Sequence, residues 1–191
     1  TEKASDMDPA NAYDFHTWEI FRNISRGLLA YKPGTTEIVP GLATSYEVND
    51  DGDVYTFELR EGIKFSDGTP FTAETVKWSV ERVINLGGDP SWLVTSFVDS
   101  VEVVDTYTVR FNLSGSVGFF PDVVATVPYF PVNPNSFPED QWVNDPSELK
   151  DGVLSGLGPY KITSFKRDEE IVLEKNAEYY GEEPAIDQVV I

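Results

Sequence analysis

The stretch Gly34-Thr-Thr-Glu-Ile-Val-Pro-Gly-Leu-Ala43, followed by Tyr55-Thr-Phe-Glu-Leu-Arg-Glu-Gly-Ile-Lys-Phe-Ser-Asp-Gly-Thr69, decides the reading of this chain. Neither block carries a side-chain set with catalytic character. In the second, Tyr55, Phe57 and Leu59 alternate with Thr56, Glu58 and Arg60. That period of two predicts a half-buried strand, because successive side chains on a strand point to opposite faces of the sheet. Residues 45–48 supply a partner strand, and Asn49-Asp-Asp-Gly-Asp53 connects the two. The connection is rich in side-chain oxygens. It lacks the alternating ligands, glycine and distant glutamate of an EF-hand calcium loop, so it reads as a turn.

Moving outward, Asp14 caps a helix expected from residue 15 to about 28. Trp18, Phe21, Ser25 and Leu28 form its apolar stripe, with Ile24 beside them. Residues 1–14 are polar and end in Met7-Asp-Pro-Ala10, an extended or turn segment set by Pro9. Residues 31–35 read as a turn. Thr72 caps a second helix over 73–85, with Val76, Val80 and Val83 on one face and Gly87-Gly-Asp-Pro90 ending it. A second hairpin pairs residues 98–104 with 107–113, and a short helix is expected over 118–125. Five prolines between Pro128 and Pro146 make that segment a loop. A third hairpin pairs 160–166 with 171–175, and a last strand runs over 186–191. These patterns bury Tyr55, Phe57, Leu59, Val109, Phe111 and Leu113. A chain that stops inside a strand is expected to be a piece of a longer protein.

Of the 191 residues, 40% are apolar and 13% aromatic. That is enough for a packed core. The formal net charge of -19, from 33 acidic and 14 basic residues, excludes nucleic acid as a partner. A phosphate backbone would be repelled. The same charge excludes electrostatic binding to anionic membranes. The acid excess reads first as solubility and second as a pull on cationic ligands. With no cysteine and a single histidine, His16, there is no disulfide framework or thiolate nucleophile and no set of zinc ligands. No catalytic residue, metal or cofactor is expected.

Binding fits better than chemistry, because solute clefts are lined by aromatics and a few polar groups. Tyr13 and Phe15 flank Asp14 at the start of the first helix. Free N–H groups there favour an anion such as a ligand carboxylate. Trp92 follows Gly87-Gly-Asp-Pro-Ser91 and is expected on a loop. A secreted hydrolase built on His16 and a surface adhesion module are the competing classes.

Ten short motifs in order resemble the family 5 extracellular solute-binding proteins, the peptide, dipeptide and nickel receptors of ABC importers. They include Met7-Asp-Pro9, Asn23-Ile-Ser-Arg-Gly-Leu28, Pro40-Gly-Leu-Ala43, Tyr55-Thr-Phe57 and Leu59-Arg-Glu-Gly-Ile-Lys-Phe65. Asp67-Gly-Thr-Pro70, Thr72-Ala73, Ser79-Val-Glu-Arg82, Gly156-Leu-Gly-Pro-Tyr160 and Asn176-Ala-Glu-Tyr-Tyr-Gly181 continue the series. Arg26 stands where the family usually has glutamate. The resemblance implies an α/β fold of mixed α+β sheets, periplasmic-binding-protein-like of type II, with the first lobe and an extra subdomain only. Residues 1–26 and 155–191 would be first lobe, and 27–154 the subdomain. It implies a monomeric, non-enzymatic receptor, periplasmic or extracellular and lipid-anchored in full length. Such a receptor binds a peptide or small-molecule ligand and hands it to permease subunits. The segment after Met7-Asp-Pro9 resembles a ligand-contacting loop of the oligopeptide receptors, which puts Tyr13, Asp14 and Phe15 at the cleft. The loop of Ser91 and Trp92 resembles another.

Overall fold

The computed structural model describes residues 6–149 and 154–191. Helix α1 spans Phe15–Ile24. The Asp14 carboxylate accepts the Thr17 N–H at 2.8 Å. An N-cap residue satisfies a free amide of the first turn in this way. Thr17, Ile20, Phe21 and Ile24 form the buried face of the helix. The helix stops at Ile24, short of the expected end. Gly158 donates its N–H to the Ile24 carbonyl at 3.0 Å, and Ser25 turns extended. A Cβ on Gly156 would lie 1.9 Å from the Ile24 oxygen, and one on Gly158 would lie 2.5 Å from the Asn23 oxygen. Two glycines in this motif thus let a distant strand entry dock on the last turn of α1. Periodicity alone carries no sign of that contact.

Strands β1 (Leu29–Tyr31) and β2 (Ile38–Pro40) pair as a small hairpin around the expected turn at 31–35. Three-residue strands leave too little alternation to be read in a sequence. Strands β3 (Ala43–Val48), β4 (Val54–Leu59), β5 (Val98–Asp105) and β6 (Thr108–Leu113) form a sheet of order β3-β4-β6-β5. Its register sets Phe57 beside Tyr46 and Val109, and Phe111 beside Tyr55 and Val101. Every side chain expected to be buried in β4 and β6 is buried. The third sheet joins the expected hairpin, β7 (Tyr160–Lys166) and β8 (Glu170–Lys175), to the expected last strand, β9 (Gln188–Val190), which pairs with β8. Every ladder among the described residues is antiparallel. The mixing is therefore of helices with sheets rather than of strand directions.

Helix α2 (Ala73–Leu86) begins in a Thr72/Thr75 capping box and ends at Gly87, whose φ is 62°. That left-handed backbone suits a residue without a Cβ, and the reciprocal cap satisfies two free donors at the other end. Val76, Val80 and Val83 join the core of the four-stranded sheet. The opposite side of α2 holds the proline-rich segment: the Ser79 hydroxyl accepts the Val132 N–H at 3.0 Å. The short helices α3 (Trp92–Thr95) and α4 (Phe120–Val124) complete the fold. A second apolar cluster joins Met7, α1, residues 127–149 and the β7–β8 hairpin.

The segment Met7-Asp-Pro-Ala10 forms a turn, one of the two conformations expected, but departs from its reading as polar surface. All four residues are buried in a turn. Arg82 forms a two-pronged ion pair with Asp8, at 2.8 and 2.7 Å. Neither side chain is more than 1% exposed.

Phe57 lies 5.6 Å from Phe111 and 5.5 Å from Tyr46 between ring centroids. Phe57→Ala should cost roughly 3–5 kcal/mol in a urea titration. Burial pushes the Tyr129 phenol far up from its ordinary value, and its O–H donates to the Leu93 carbonyl at 3.0 Å. The fold favours the neutral phenol, so this contribution is intact below the unfolded tyrosine value of about 10 and is lost as pH rises past it. Tyr129→Phe should be somewhat less stable at neutral pH. It should also lose less stability between about pH 9 and 12 than the parent. Denaturation midpoints across that range check it.

Candidate functional site

The turn at residues 8–12 places the site. Asp8 receives the Ala10 N–H on its carboxylate at 2.9 Å and the Ala12 N–H on its carbonyl at 2.8 Å. The Ala12 carbonyl then accepts the indole N–H of Trp18 at 2.8 Å. Tyr13 follows at once, and Asp14 opens α1. Tyr13, Asp14, Phe15 and Trp18 line a pocket of about 280 Å³. Tyr13 is 50% exposed and Phe15 83%. Trp18, expected in the core stripe, is half-buried: it packs against the second apolar cluster and also forms a wall of the pocket. Its indole N–H is satisfied by Ala12, so it presents ring surface and no free donor. The 3.6-residue period does not distinguish this position, at the edge of the apolar stripe, from its centre.

The second expected loop arrives beside the first. Gly88 approaches so closely that a Cβ there would sit 2.2 Å from the Ala10 carbonyl oxygen. The Asp89 N–H reaches the Asn11 side-chain oxygen at 3.3 Å. Trp92, 48% exposed, stands at 90° to Tyr13 with centroids 6.5 Å apart. Tyr13 meets Trp18 at 5.9 Å and 64°. Such edge-on pairs place the positive rim of one ring on the negative face of another. Trp92 is the first residue of α3 and not a loop residue. Pro90, in the preceding 3-10 turn Asp89–Ser91, starts the helical path. Ser91 is half-buried in that turn, where its N–H is bound to the Gly88 carbonyl at 2.9 Å.

The start of α1, expected to favour a ligand carboxylate, carries a carboxylate of its own. Asp14 already accepts the Thr17 N–H, and an incoming anion would meet that carboxylate. His16 is half-buried on α1, and no hydrogen bond ties it to a serine or a carboxylate among the described residues.

A larger hollow of about 690 Å³ lies between α1 and the β1–β2 hairpin, lined in part by Arg22, Arg26 and Lys32. Its cations are engaged: Arg22 with Glu19, and Lys32 with Glu37 at 3.0 Å. Arg26 bonds to the Ser25 carbonyl at 3.1 Å and lies over the Tyr179 ring at 5.7 Å. Self-paired charges offer a ligand less than the exposed rings of the smaller pocket.

The family model of the bacterial extracellular solute-binding proteins, family 5 Middle, matches residues 37–191. A probable D,D-dipeptide-binding periplasmic protein of Escherichia coli is 31% identical over 99% of this chain and 38% of its own length. Di/tripeptide-binding protein 4 of Pseudomonas aeruginosa is 30% identical over 85% of this chain and 34% of its own. The chain spans well under half the length of these relatives. The peptide-bound DppA structure from Helicobacter pylori superposes with a TM-score of 0.82 at 29% identity, over 98% of this chain and 40% of the other. NikA of Brucella suis, in complex with Fe(III)-EDTA, gives 0.82 at 30% identity, over 98% and 37%. The open form of the murein tripeptide-binding protein MppA shares the fold at 0.88 and 24% identity, over 99% and 39%.

The Gly88 contact makes a sharp test of the site's construction. Its φ is -67°. Any residue adopts that value, so Gly88→Ala meets only the steric barrier. The variant should lose roughly 1–3 kcal/mol and separate the two loops. The ring-current shifts between Tyr13 and Trp92 in proton NMR should collapse while the far-ultraviolet circular dichroism stays unchanged.

Proposed function

The chain belongs to the bacterial extracellular solute-binding proteins of family 5, and we propose that it forms the first-lobe and subdomain part of a receptor serving an ABC importer. The receptor captures an extracytoplasmic solute, an oligopeptide or dipeptide, and delivers it to the membrane permease. The observation that carries this reading is the exposed aromatic group of Tyr13, Phe15 and Trp92, borne on two segments tied together at Gly88 and Asn11. Rings held rigid and wet on a folded surface are poised to bury a partner, because their ordering cost falls on folding and not on binding.

The peptide assignment is supported by relatives named for dipeptides and di/tripeptides and by the peptide-bound DppA structure. In this reading residues 1–26 and 155–191 are first lobe, and residues 27–154 are the subdomain. Tyr13, Asp14, Phe15, Ser91 and Trp92 face the ligand from one side. A second lobe, outside these residues, closes on the other. The receptor is a monomer, periplasmic or extracellular, tethered by a lipid where the organism has no outer compartment. The relatives are periplasmic proteins by name. The family is made of binding proteins, and the work of transport falls to the ATP-driven subunits.

Calorimetry on two proteins tests the reading. One is this chain alone, and the other is the longer receptor that carries it. A single open lobe leaves about half of a ligand in water and has nothing to close against, so the chain alone should bind peptides weakly or not at all. In the longer receptor, Tyr13→Ala and Trp92→Ala should each weaken binding by ~1–2 kcal/mol, as truncated aromatic anchors do. Equal affinities for the two proteins, or variants that bind like the parent, would move the pocket elsewhere. Mass spectrometry of the ligand that co-purifies with the longer receptor names the solute.

A further inference from the structure

We propose that the pocket of Tyr13, Asp14, Phe15 and Trp18 is a subsite for an aromatic side chain of a peptide ligand. The inference rests on the solute-binding reading and specifies which peptides one wall of that site selects.

Three of the four lining residues are rings, and they are not equally occupied. Tyr13 stands edge-on to Trp18 at 5.9 Å and to Trp92 at 6.5 Å. Phe15 makes no ring contact among the described residues and is 83% exposed. One lining ring is therefore in water beside a set of rings already fixed against each other. An aromatic side chain seated there meets faces and edges that are in place before it arrives. Rings pair best offset or edge to face, and such pairs add to what burial alone supplies. A saturated side chain of the same size gains the burial only. The ordering cost is small, because the contact of Gly88 with Ala10 sets the two ring-bearing segments during folding.

Size and polarity narrow the choice. The pocket measures about 280 Å³. Sites that enclose a whole drug-sized ligand run to ~300–1,000 Å³, so this one takes a single side chain. The Trp18 N–H is bound to the Ala12 carbonyl. The Asp14 carboxylate is engaged within the protein, capping α1 through the Thr17 N–H and making a further contact. Neither group calls for a polar partner on the ligand. A lysine ammonium would bring three N–H donors that each want an acceptor, to a lining whose one carboxylate is already in use. A ring brings no such demand.

The test uses the longer receptor, because a single open lobe is expected to hold no peptide firmly. Alanine di- and tripeptides are compared by calorimetry with the same peptides carrying phenylalanine, cyclohexylalanine or lysine at one position at a time. At one position phenylalanine should raise the affinity about tenfold over alanine. Cyclohexylalanine there should bind about threefold more weakly than phenylalanine, and lysine no better than alanine. Phe15→Leu keeps apolar bulk on an exposed position and removes the ring. It should bring the ratio of phenylalanine to cyclohexylalanine affinity close to one, with the circular dichroism unchanged.

Cyclohexylalanine that binds as well as phenylalanine overturns the proposal in favour of a general apolar subsite. Lysine that binds as well overturns it in favour of a cation site. A ratio that survives Phe15→Leu puts the selecting ring elsewhere, and peptides that all bind alike remove the selection itself. Each of these outcomes leaves the solute-binding reading standing. A receptor that binds none of the peptides takes down the peptide assignment, and the subsite with it.

Discussion

The Asp8–Arg82 pair is the interaction on which the rest of the structure depends. Removing two charges from water is costly, and the attraction between them repays it only when the remaining donors and acceptors are also used. Here they are. Besides its two bonds to Asp8, the Arg82 guanidinium donates to the Pro138 carbonyl at 2.6 Å and the Gln141 carbonyl at 2.8 Å. The Asp8 carboxylate also accepts the Val143 N–H at 2.9 Å and the Ala10 N–H. The guanidinium sits 5.3 Å from the Phe137 ring centroid and 5.9 Å from that of Trp78. One pair thereby fixes three pieces of chain: the N-terminal turn, helix α2, and the proline-rich segment with little regular structure of its own. An apolar substitute of equal volume could match its stability. It could not replace the bonds to the backbone groups of Ala10, Pro138, Gln141 and Val143.

From that pair the geometry passes outward by contact. Asp8 shapes the turn, the turn aims the Ala12 carbonyl at Trp18, and Trp18 braces Tyr13. On the other side, α2 leaves Arg82 and runs on to Gly87 and Gly88, and Gly88 packs on the Ala10 carbonyl. The pair and the glycine are the two ends of one clamp. They hold the segments bearing Tyr13 and Trp92 in register.

What the sequence shows and what it hides divide along the range of the interactions. The hairpins β3–β4, β5–β6 and β7–β8 and the helix α2 are legible, because alternation, a capping threonine and a terminal glycine act within a few residues. The end of α1 is not, because it is set by Gly156 and Gly158, at the far end of the chain from Ile24. Met7 to Ala10 reads as polar because Asp8 is charged. Its burial follows only once Arg82 is known to sit against it. Both partners lie in motifs that carry the family resemblance, Met7-Asp-Pro9 and Ser79-Val-Glu-Arg82. The resemblance therefore contains the ion pair without revealing that the two motifs meet. Tyr13, Asp14 and Phe15 line one pocket together with Trp18. Periodicity puts Trp18 on the core side, where it does pack, but misses its second role as a pocket wall, and the glycines before Trp92 put that residue on a loop.

The acidic surface and the ring-lined pocket act over different ranges. A negative surface speeds the approach of cations over long distances, but salt screens it and it discriminates little between one cation and another. Discrimination needs a place where water is displaced. Tyr13, Phe15 and Trp18 offer ring surface of that kind along one pocket. Asp14 is suited to stand at its edge because the first turn of α1 already stabilises its charge through the Thr17 N–H. The same bond that starts the helix fixes a carboxylate beside an aromatic wall. The N-cap is thus both the start of α1 and the charged member of the pocket's described lining.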